Sequence, residues 1–579
     1  MKNGILRNIW FLNTGILFLF ILIVAKLGYV QIVRGETYRD KAERQYTVPE
    51  NGLFDRGTIY FTEKTGRTIS AATVALDYTL AIDPSLIASS AASGNGEDGA
   101  TALADKLATL IDPFDRTDFF AKAAQKTSRY KEIKKHLSEQ EAEGIKALDE
   151  KALILKKDKK RSYPLGRMAA QVVGFIGSNG DTLGGQYGLE RYYNETLIRN
   201  DTGGSLGFFA NLFLNAGEAI ISDRAREGDL VTTIEPTVQG MFERTLEEEI
   251  FQKYNATQAM GIIMDPETGA IVGMATVPSF DPNSFSKERN QNVFVNPLVE
   301  GLYEMGSVVK AFTVAAGLDA HVVTAETTYD DKGFRIFNTK RISNFDGKAR
   351  GVVPVQEVLN QSLNVGAAFV MERLGKERFR NYFTSFGLGE ETGIDLPNEG
   401  QGNIENLASM RDIEFATASF GQGISLTPIA TIRAFSALGN GGVLPSPHIV
   451  ERTEYGFGSV RDFVPAGERR VISKETSREI SRMLTKAVDT ALLDGTLKQE
   501  HYSIAAKTGT AQQVVGGKYS ETDFLHTFVG YFPSYNPKFI VFLAVKDPQG
   551  EQYASHTLAE PFMQIAKFLI NYYEISPDR

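Results

Sequence analysis

The sequence predicts an α+β protein in three parts: a single N-terminal transmembrane helix, an elongated mixed pedestal, and a larger domain whose central antiparallel sheet is flanked by helices. Three observations carry this. An uncharged apolar run lies near the start, and mixed strand and turn signals fill roughly the next 200 residues. After Gly228-Asp229, strand and helix signals recur at both ends of the remaining chain. The expected division is 1–8 for a tail, 9–33 for the span, 34–235 for the pedestal and 236–579 for the α+β domain.

Ile9 to Ala25 holds no charged residue, and Leu27 to Val33 prolongs the run past Lys26. A helix of that length crosses a ~30 Å hydrocarbon core. Lys26 can snorkel, and Trp10 and Tyr29 suit the membrane interface. A cleaved signal peptide has a shorter apolar core, ~7–15 residues, and a small-residue cleavage site. Neither is present, so an uncleaved anchor is expected. Lys2 and Arg7 precede the span and Arg34, Arg39, Lys41 and Arg44 follow it, so basic residues alone do not set its sidedness. Long domains translocate regardless of charge, and the expectation is a cytoplasmic tail with everything after the span outside.

In the pedestal, residues 48–83 read as short strands and turns. Residues 86–107, around the Ser/Ala/Gly-rich SSAASGNGEDGA, read as a surface loop. Residues 116–149 read as helical, and the run KKDKKR (156–161) as a solvated face. No catalytic set assembles here, which leaves a spacer. Beyond it, Val231 to Ile234 is strand-like, and Val238, Met241, Phe242, Leu246, Ile250 and Phe251 follow helical spacing. Gly261 to Met264, a turn at Pro266–Gly269 and Ala270 to Met274 make a hairpin. Phe539 to Val545 and residues 562–572 supply another buried strand and a closing helix. The first and last elements of this domain are therefore expected to share one sheet.

Composition narrows the chemistry. With no Cys, disulfides, thiolate catalysis, iron–sulfur clusters and Cys-type zinc sites are excluded. The six His are scattered without an i, i+4 pair, so no metal is expected, and no cofactor. The net charge of −9 argues against a nucleic-acid partner, which requires an excess of Lys and Arg. Hydroxyls, amines and carboxylates remain.

Ser307-Val308-Val309-Lys310 opens an apolar helical run, and on a helix i and i+3 share a face, so hydroxyl and amine can touch. Gly306 allows close packing, and the free N–H groups of a helix start point toward the Ser. A Ser hydroxyl needs a base, which a neutral Lys amine can be. The motif alone is weak: Ser128-x-x-Lys131 and Ser284-x-x-Lys287 match it too. Lys64-Thr65-Gly66 duplicates Lys507-Thr508-Gly509, and Ser534-Tyr535-Asn536 duplicates Ser362-Leu363-Asn364. Only one set has the order S-x-x-K, S-x-N, K-T-G with fitting surroundings: Ser307 at a helix start, Ser362 in a loop–helix region, and Lys507 on a strand from Tyr502 to Ala511. Gly509 leaves that strand's edge open to a ligand backbone.

This combination resembles the penicillin-binding proteins and related β-lactam-recognising serine acyltransferases. More narrowly, the chain is similar to the membrane-anchored, monofunctional (class B) transpeptidases. The likeness is carried by DRGTIY (55–60), YPLGRMAAQVVGFIG (163–177), GLERYY (188–193), TGIDLP (392–397), SFGQGISLTP (419–428) and AKTGTAQ (506–512). Residues 419–442 and KTGTAQ look most like the division-specific, FtsI-like branch. Three departures stand out: Met305 where the family usually has Pro, Gln361 rather than Ser before the S-x-N, and YASH (553–556) in place of an expected Gly-Gly.

The resemblance implies that Ser307 attacks the penultimate carbonyl of a stem peptide ending in D-Ala-D-Ala, and that an amine from a neighbouring stem then captures the acyl group. Lys310 is implied as the base. Its neutrality at pH 7 costs roughly 4–5 kcal/mol unless burial and the charge of Lys507 lower its pKa. Ser362 is implied as proton relay, Asn364 as holder of the substrate amide, and Thr508 and Thr510 as ligands of the terminal carboxylate. The backbone N–H groups of Ser307 and Thr510 are implied as the oxyanion hole. Implied partners are peptidoglycan stems, β-lactams as covalent inhibitors, a glycan polymerase of the SEDS family and other division-complex membrane proteins. The implied place is the bacterial inner membrane, with the catalytic domain on the periplasmic or extracellular side. An elongation-specific transpeptidase, a D,D-carboxypeptidase and a non-catalytic scaffold or β-lactam sensor share the same motifs and stay open. A secreted β-lactamase fits the anchor and length poorly.

Overall fold

The structure, a computed structural model, describes residues 56–87, 99–179, 182–199, 227–455, 459–516 and 518–579. The tail and span expected over 1–33 lie outside the described residues. Among the described residues no helix is long and apolar enough to cross a membrane.

The pedestal contains strands β1 (Ile59–Thr62) and β2 (Thr68–Ile82), helices α1 (Gly99–Leu110) and α2 (Arg116–Ala123), strand β3 (Lys131–Leu137), helix α3 (Glu139–Ala147) and strand β4 (Leu153–Ser162). Three sequence expectations are corrected here. Residues 99–107 form most of α1 rather than loop, because Leu103, Ala104 and Leu107 bury against Leu80 and Ile82 of β2. Residues 116–149 are not one helical stretch. Ile133 and Leu137, four apart, lie on one face of a strand as readily as of a helix, and both join that same core. KKDKKR is part of β4, paired antiparallel along β2. Leu153 and Leu155 anchor that strand, and its run of charge ends in a buried Arg161. Ser138 closes a capping box with Glu141 at the start of α3.

Strand β5 (Gly228–Thr232) leads into helix α4 (Pro236–Arg244), which continues as a wider π-helical stretch to Gln252. The expected hairpin is β6 (Gln258–Met264) and β7 (Ile271–Val277). Helices α5 (Lys310–Asp319), α6 (Gln356–Asn360), α7 (Asn364–Leu374) and α8 (Pro428–Gly439) follow. Next come β8 (Val450–Tyr455), β9 (Val460–Asp462), helix α9 (Lys474–Thr490), strands β10 (Ala505–Val515), β11 (Lys518–Phe532) and β12 (Phe539–Lys546), and helix α10 (Ala554–Tyr572). The K-T-G strand thus starts at Ala505 rather than Tyr502. The last helix starts at Ala554 rather than 562, because Leu558 and Phe562 continue one buried stripe.

The large sheet has the order β10–β11–β12–β6–β7, antiparallel throughout, so the first and last strands of this part do share it. Ile540, Phe542 and Ala544 pack with Phe312, Phe435 and Tyr531 on one face. Val541, Leu543 and Val545 pack with Phe242, Leu558 and Phe562 on the other. Helices cover both faces, which is why β12 reads as a continuous apolar run. A second sheet runs β9–β8–β5–β1–β2–β3, with β4 on β2. Strands β8 and β9, from 450–462, therefore complete the pedestal sheet. Asp395 fastens this junction: its buried carboxylate accepts the N–H groups of Ile449 (2.7 Å) and Val450 (2.8 Å) and the Tyr193 hydroxyl (3.0 Å).

Candidate active site

Ser307 stands in one tight turn, Gly306–Val309, that runs straight into α5. Three glycines let this turn close against two other segments. Gly306 takes φ +56, a conformation that costs Gly nothing, and a Cβ on it would meet the Thr510 carbonyl at 3.2 Å. A Cβ on Gly421, within SFGQG, would lie 2.1 Å from the Gly306 carbonyl, and one on Gly509 would lie 2.4 Å from that of Met305. SFGQG is thus the buttress behind the Ser307 turn. Met305, at the first departure from the family pattern, is fully buried.

Ser362 lies between α6 and α7 with φ +54, an uncommon conformation for a residue with a side chain. That backbone carries its hydroxyl between two amines. Lys310 Nζ is 2.9 Å from Ser307 Oγ and 3.1 Å from Ser362 Oγ, and donates to the Ser362 carbonyl at 2.5 Å. Lys507 Nζ reaches the same Ser362 Oγ at 3.1 Å and the Thr508 carbonyl at 3.0 Å. Both amines are nearly sealed from solvent, Lys310 1% and Lys507 4% exposed. Burial, and secondarily the Lys507 charge, holds the Lys310 amine well below the ordinary lysine range. Burial takes Lys507 down to about 7. The sequence motifs thus converge on one hydrogen-bonded chain, Ser307–Lys310–Ser362–Lys507.

The four remaining predicted residues line the same region. Asn364 opens α7 and donates its amide N–H to the Ser343 carbonyl (2.9 Å), which leaves its amide oxygen for another donor. Thr508, Gly509 and Thr510 follow Lys507 on β10, the open edge of the large sheet. Thr510 Oγ1 accepts the Ala554 N–H at the start of α10 (3.1 Å), so its own proton is free to turn elsewhere. A cleft of about 900 Å³ joins these groups and includes Ser307, Ser362, Asn364, Lys507, Thr508 and Thr510 in its walls.

Several neighbours were not found by the sequence reading. Glu304 accepts the Gly423 N–H (2.9 Å) and the Tyr519 hydroxyl (3.1 Å), tying the Ser307 turn to the buttress and to the tip of the β10–β11 hairpin. Gln361, at the second departure, accepts from Arg350 (3.1 Å) and donates to Glu357 (2.7 Å), and Arg350 is itself paired with Asp346. Phe345 and Tyr553, both cleft-lining, meet edge to face at 6.0 Å. Tyr553 belongs to the third departure, YASH, and that departure was the one signal of it in the sequence. The decoy motifs serve structure. Lys64 donates to the Tyr572 carbonyl (2.6 Å), pinning the end of α10 to the pedestal, and Ser534 is buried against Thr485. Ser128 donates to the Tyr130 carbonyl (3.0 Å), and Ser284 sits in a short turn of 3₁₀ helix, Pro282–Lys287.

Comparison with known proteins agrees with this geometry. Residues 259–567, more than half the chain, match the family described as "Penicillin binding protein transpeptidase domain". The chain belongs to the penicillin-binding protein transpeptidases. Residues 55–207 match "Penicillin-binding Protein dimerisation domain", which makes this a class B penicillin-binding protein. It is 31% identical to stage V sporulation protein D of Bacillus subtilis, over 94% of this chain and 82% of that one. It is 25% identical to the peptidoglycan D,D-transpeptidase FtsI of Buchnera aphidicola, over 97% and 94%. Among solved structures it resembles penicillin-binding protein 3 of Mycobacterium tuberculosis complexed with aztreonam, with TM-score 0.64 and 25% identity, covering 73% of this chain and 92% of that one. Penicillin-binding protein 2X of Streptococcus thermophilus shares the fold at TM-score 0.73 and 20% identity, over 90% and 80%.

Proposed function

We propose that this penicillin-binding protein is a serine-type D-Ala-D-Ala transpeptidase that cross-links peptidoglycan stems in septal wall synthesis and is acylated by β-lactams. The observation that carries the reading is the Ser362 hydroxyl held 3.1 Å from each of two buried amines, one of which is 2.9 Å from Ser307. In this mechanism Ser307 Oγ attacks the penultimate D-Ala carbonyl and its proton passes to neutral Lys310. The N–H groups of Ser307 and Thr510 take the oxyanion, a device worth about 3 kcal/mol per donor. Ser362 delivers the proton to the departing D-Ala amine. Asn364 holds the donor amide, and Thr508 and Thr510 hold the terminal carboxylate beside Lys507, with Gly509 leaving room for the peptide.

The septal assignment rests on the FtsI-like form of residues 419–442 and KTGTAQ. The apolar run 9–33 supports single-pass anchoring in the inner membrane with domains 34–235 and 236–579 outside it. That run and the pedestal are the surfaces offered to a SEDS-family polymerase and other division proteins.

Incubation of the full chain with lipid-linked strands and a partner polymerase tests the assignment. Stem dimers are expected, whereas trimmed monomers alone would assign a carboxypeptidase. The amine pair also fixes a pH profile. Acylation by penicillin should rise as Lys310 loses its proton and fall above about 7 as Lys507 loses its own. Lys507→Arg, which keeps its charge, should remove the descending limb. Equal profiles for the two proteins would count against this division of roles.

A further inference from the structure

The cleft runs along β10, and its two ends differ. From Ala506 to Gln512 the strand covers about 20 Å. At the Gln512 end the walls include Phe524, Tyr553 and Glu521. At the Ala506 end they are Leu359, Val488, Leu492, Leu493 and Asp494. Leu492 and Leu493 pack on the cluster that holds Val488, Ile504 and Ala506, so this wall is apolar and fixed. Asp494 is the exception in it. It directly follows Leu493 in a turn where Leu493, Asp494 and Gly495 take φ of 49, 54 and 76 in succession. That turn is clasped from outside, where Arg579 grips Asp489 and donates to the Gln499 carbonyl (2.7 Å). The Asp494 carboxylate has no ion-pair partner among the described residues, whereas the two basic side chains in the cleft wall are engaged: Lys507 with Ser362, and Arg350 with Asp346.

The chemistry gives this end a role, on the transpeptidase reading above. The first half-reaction expels an amine, the D-Ala leaving group, from the carbonyl on Ser307. The second brings an amine to that same carbonyl, so by microscopic reversibility it travels the path the first one left. On that reading the leaving carboxylate is held by Thr508 and Thr510 beside Lys507, which puts the leaving group on the Lys507–Ala506 side of the acyl carbon. We infer that the pocket between Leu359 and the Leu492–Gly495 turn receives the acceptor stem, and that Asp494 draws in the ammonium of its diamino-acid side chain while the leucines hold its aliphatic arm. The acceptor ammonium gives up one proton to solvent at the exposed Asp494 end of the cleft, its nitrogen forms a bond to the acyl carbon, and the carbon–Oγ bond breaks. The second amine proton returns through Ser362 and Lys310 to Ser307.

The test separates acceptor from donor. A D-alanyl thioester donor is supplied with either Nα-acetyl-L-lysine amide, a cationic acceptor, or hydroxylamine, which is neutral at pH 7. For Asp494→Asn the half-saturating concentration of the lysine acceptor should rise about fivefold, the size expected of one exposed charge. The increase should shrink in high salt. Hydroxylamine capture and penicillin acylation should stay within twofold of the wild type. Glu521→Gln, which removes the same charge at the opposite end, should leave the lysine dependence unchanged. An unaltered lysine dependence in Asp494→Asn, an equal loss with hydroxylamine, or an equal effect of Glu521→Gln would each overturn the inference. A wild type that penicillin does not acylate would instead overturn the transpeptidase reading beneath it.

Discussion

Ser307→Ala is expected to take up no labelled penicillin, and Lys310→Ala to take it up at least about a thousandfold more slowly than the wild type. The two losses differ in kind. Removing the nucleophile removes the bond that carries the label. Removing the base leaves a hydroxyl whose attack must find another proton acceptor, and Lys507, bonded to Ser362 rather than to Ser307, is one group too far. Lys310→Arg should not restore the rate, because a guanidinium does not give up its proton near neutral pH. Ser307→Ala should fold normally: its side chain is only partly buried and its hydroxyl meets one partner, Lys310. Gel fluorescence after timed exposure reads both rates, and label on Ser307→Ala would refute the nucleophile.

Glu190→Ala should destabilise the pedestal by about 3–5 kcal/mol, the usual consequence of leaving buried charge without its counter-ion. Glu190 is fully buried and accepts the Nε of both Arg56 and Arg161 at 2.6 Å. Arg56 also donates to the Glu190 carbonyl (2.7 Å) and Arg161 to that of Gly57 (2.7 Å). The carboxylate therefore ties the start of β1, the end of β4 and the GLERYY helix together. Without it two guanidinium groups, 3% and 8% exposed, face each other uncompensated. Thermal unfolding of the full chain should show the midpoint fall by about 10 °C. Glu190→Gln, which keeps an acceptor oxygen, should lose less, and a shift under about 2 °C in Glu190→Ala would remove this triad as the pedestal's keystone.

How much could be read from residues alone depended on distance along the chain. Helix α4, the β6–β7 hairpin and strand β12 were legible because their patterns are local: spacing for a helix, a turn between apolar runs, a continuous apolar stretch. The candidate site was legible through the order of its three motifs, although each had a decoy. What escaped the reading falls into two kinds. Lys131–Leu137 and KKDKKR were misread because Ile133 and Leu137 satisfy both periods and because charge along a strand looks like a solvated face. The pairing of β8 with β5, the Asp395 junction, the Glu304–Tyr519 tie and the bond from Ala554 to Thr510 join residues far apart in sequence, and long-range pairing leaves no local trace. The last has a chemical meaning that spacing could not supply, since the hydroxyl assigned to the substrate carboxylate also anchors the closing helix.

The strand exchange between the two parts also sets a timetable for biogenesis. β5 offers one edge to β1 and the other to β8, and β8 lies about 220 residues later in the chain. At synthesis rates of about 5–20 residues per second, that edge waits on the order of 10–45 s for its partner. During this interval the pedestal sheet is an open template, with Leu230 and Val231 unpaired along one side, and other extended segments compete for it. The first half of the chain is therefore finished only after much of the second half has been made, and assembly of the pedestal becomes a checkpoint that only a chain translated beyond Tyr455 can pass.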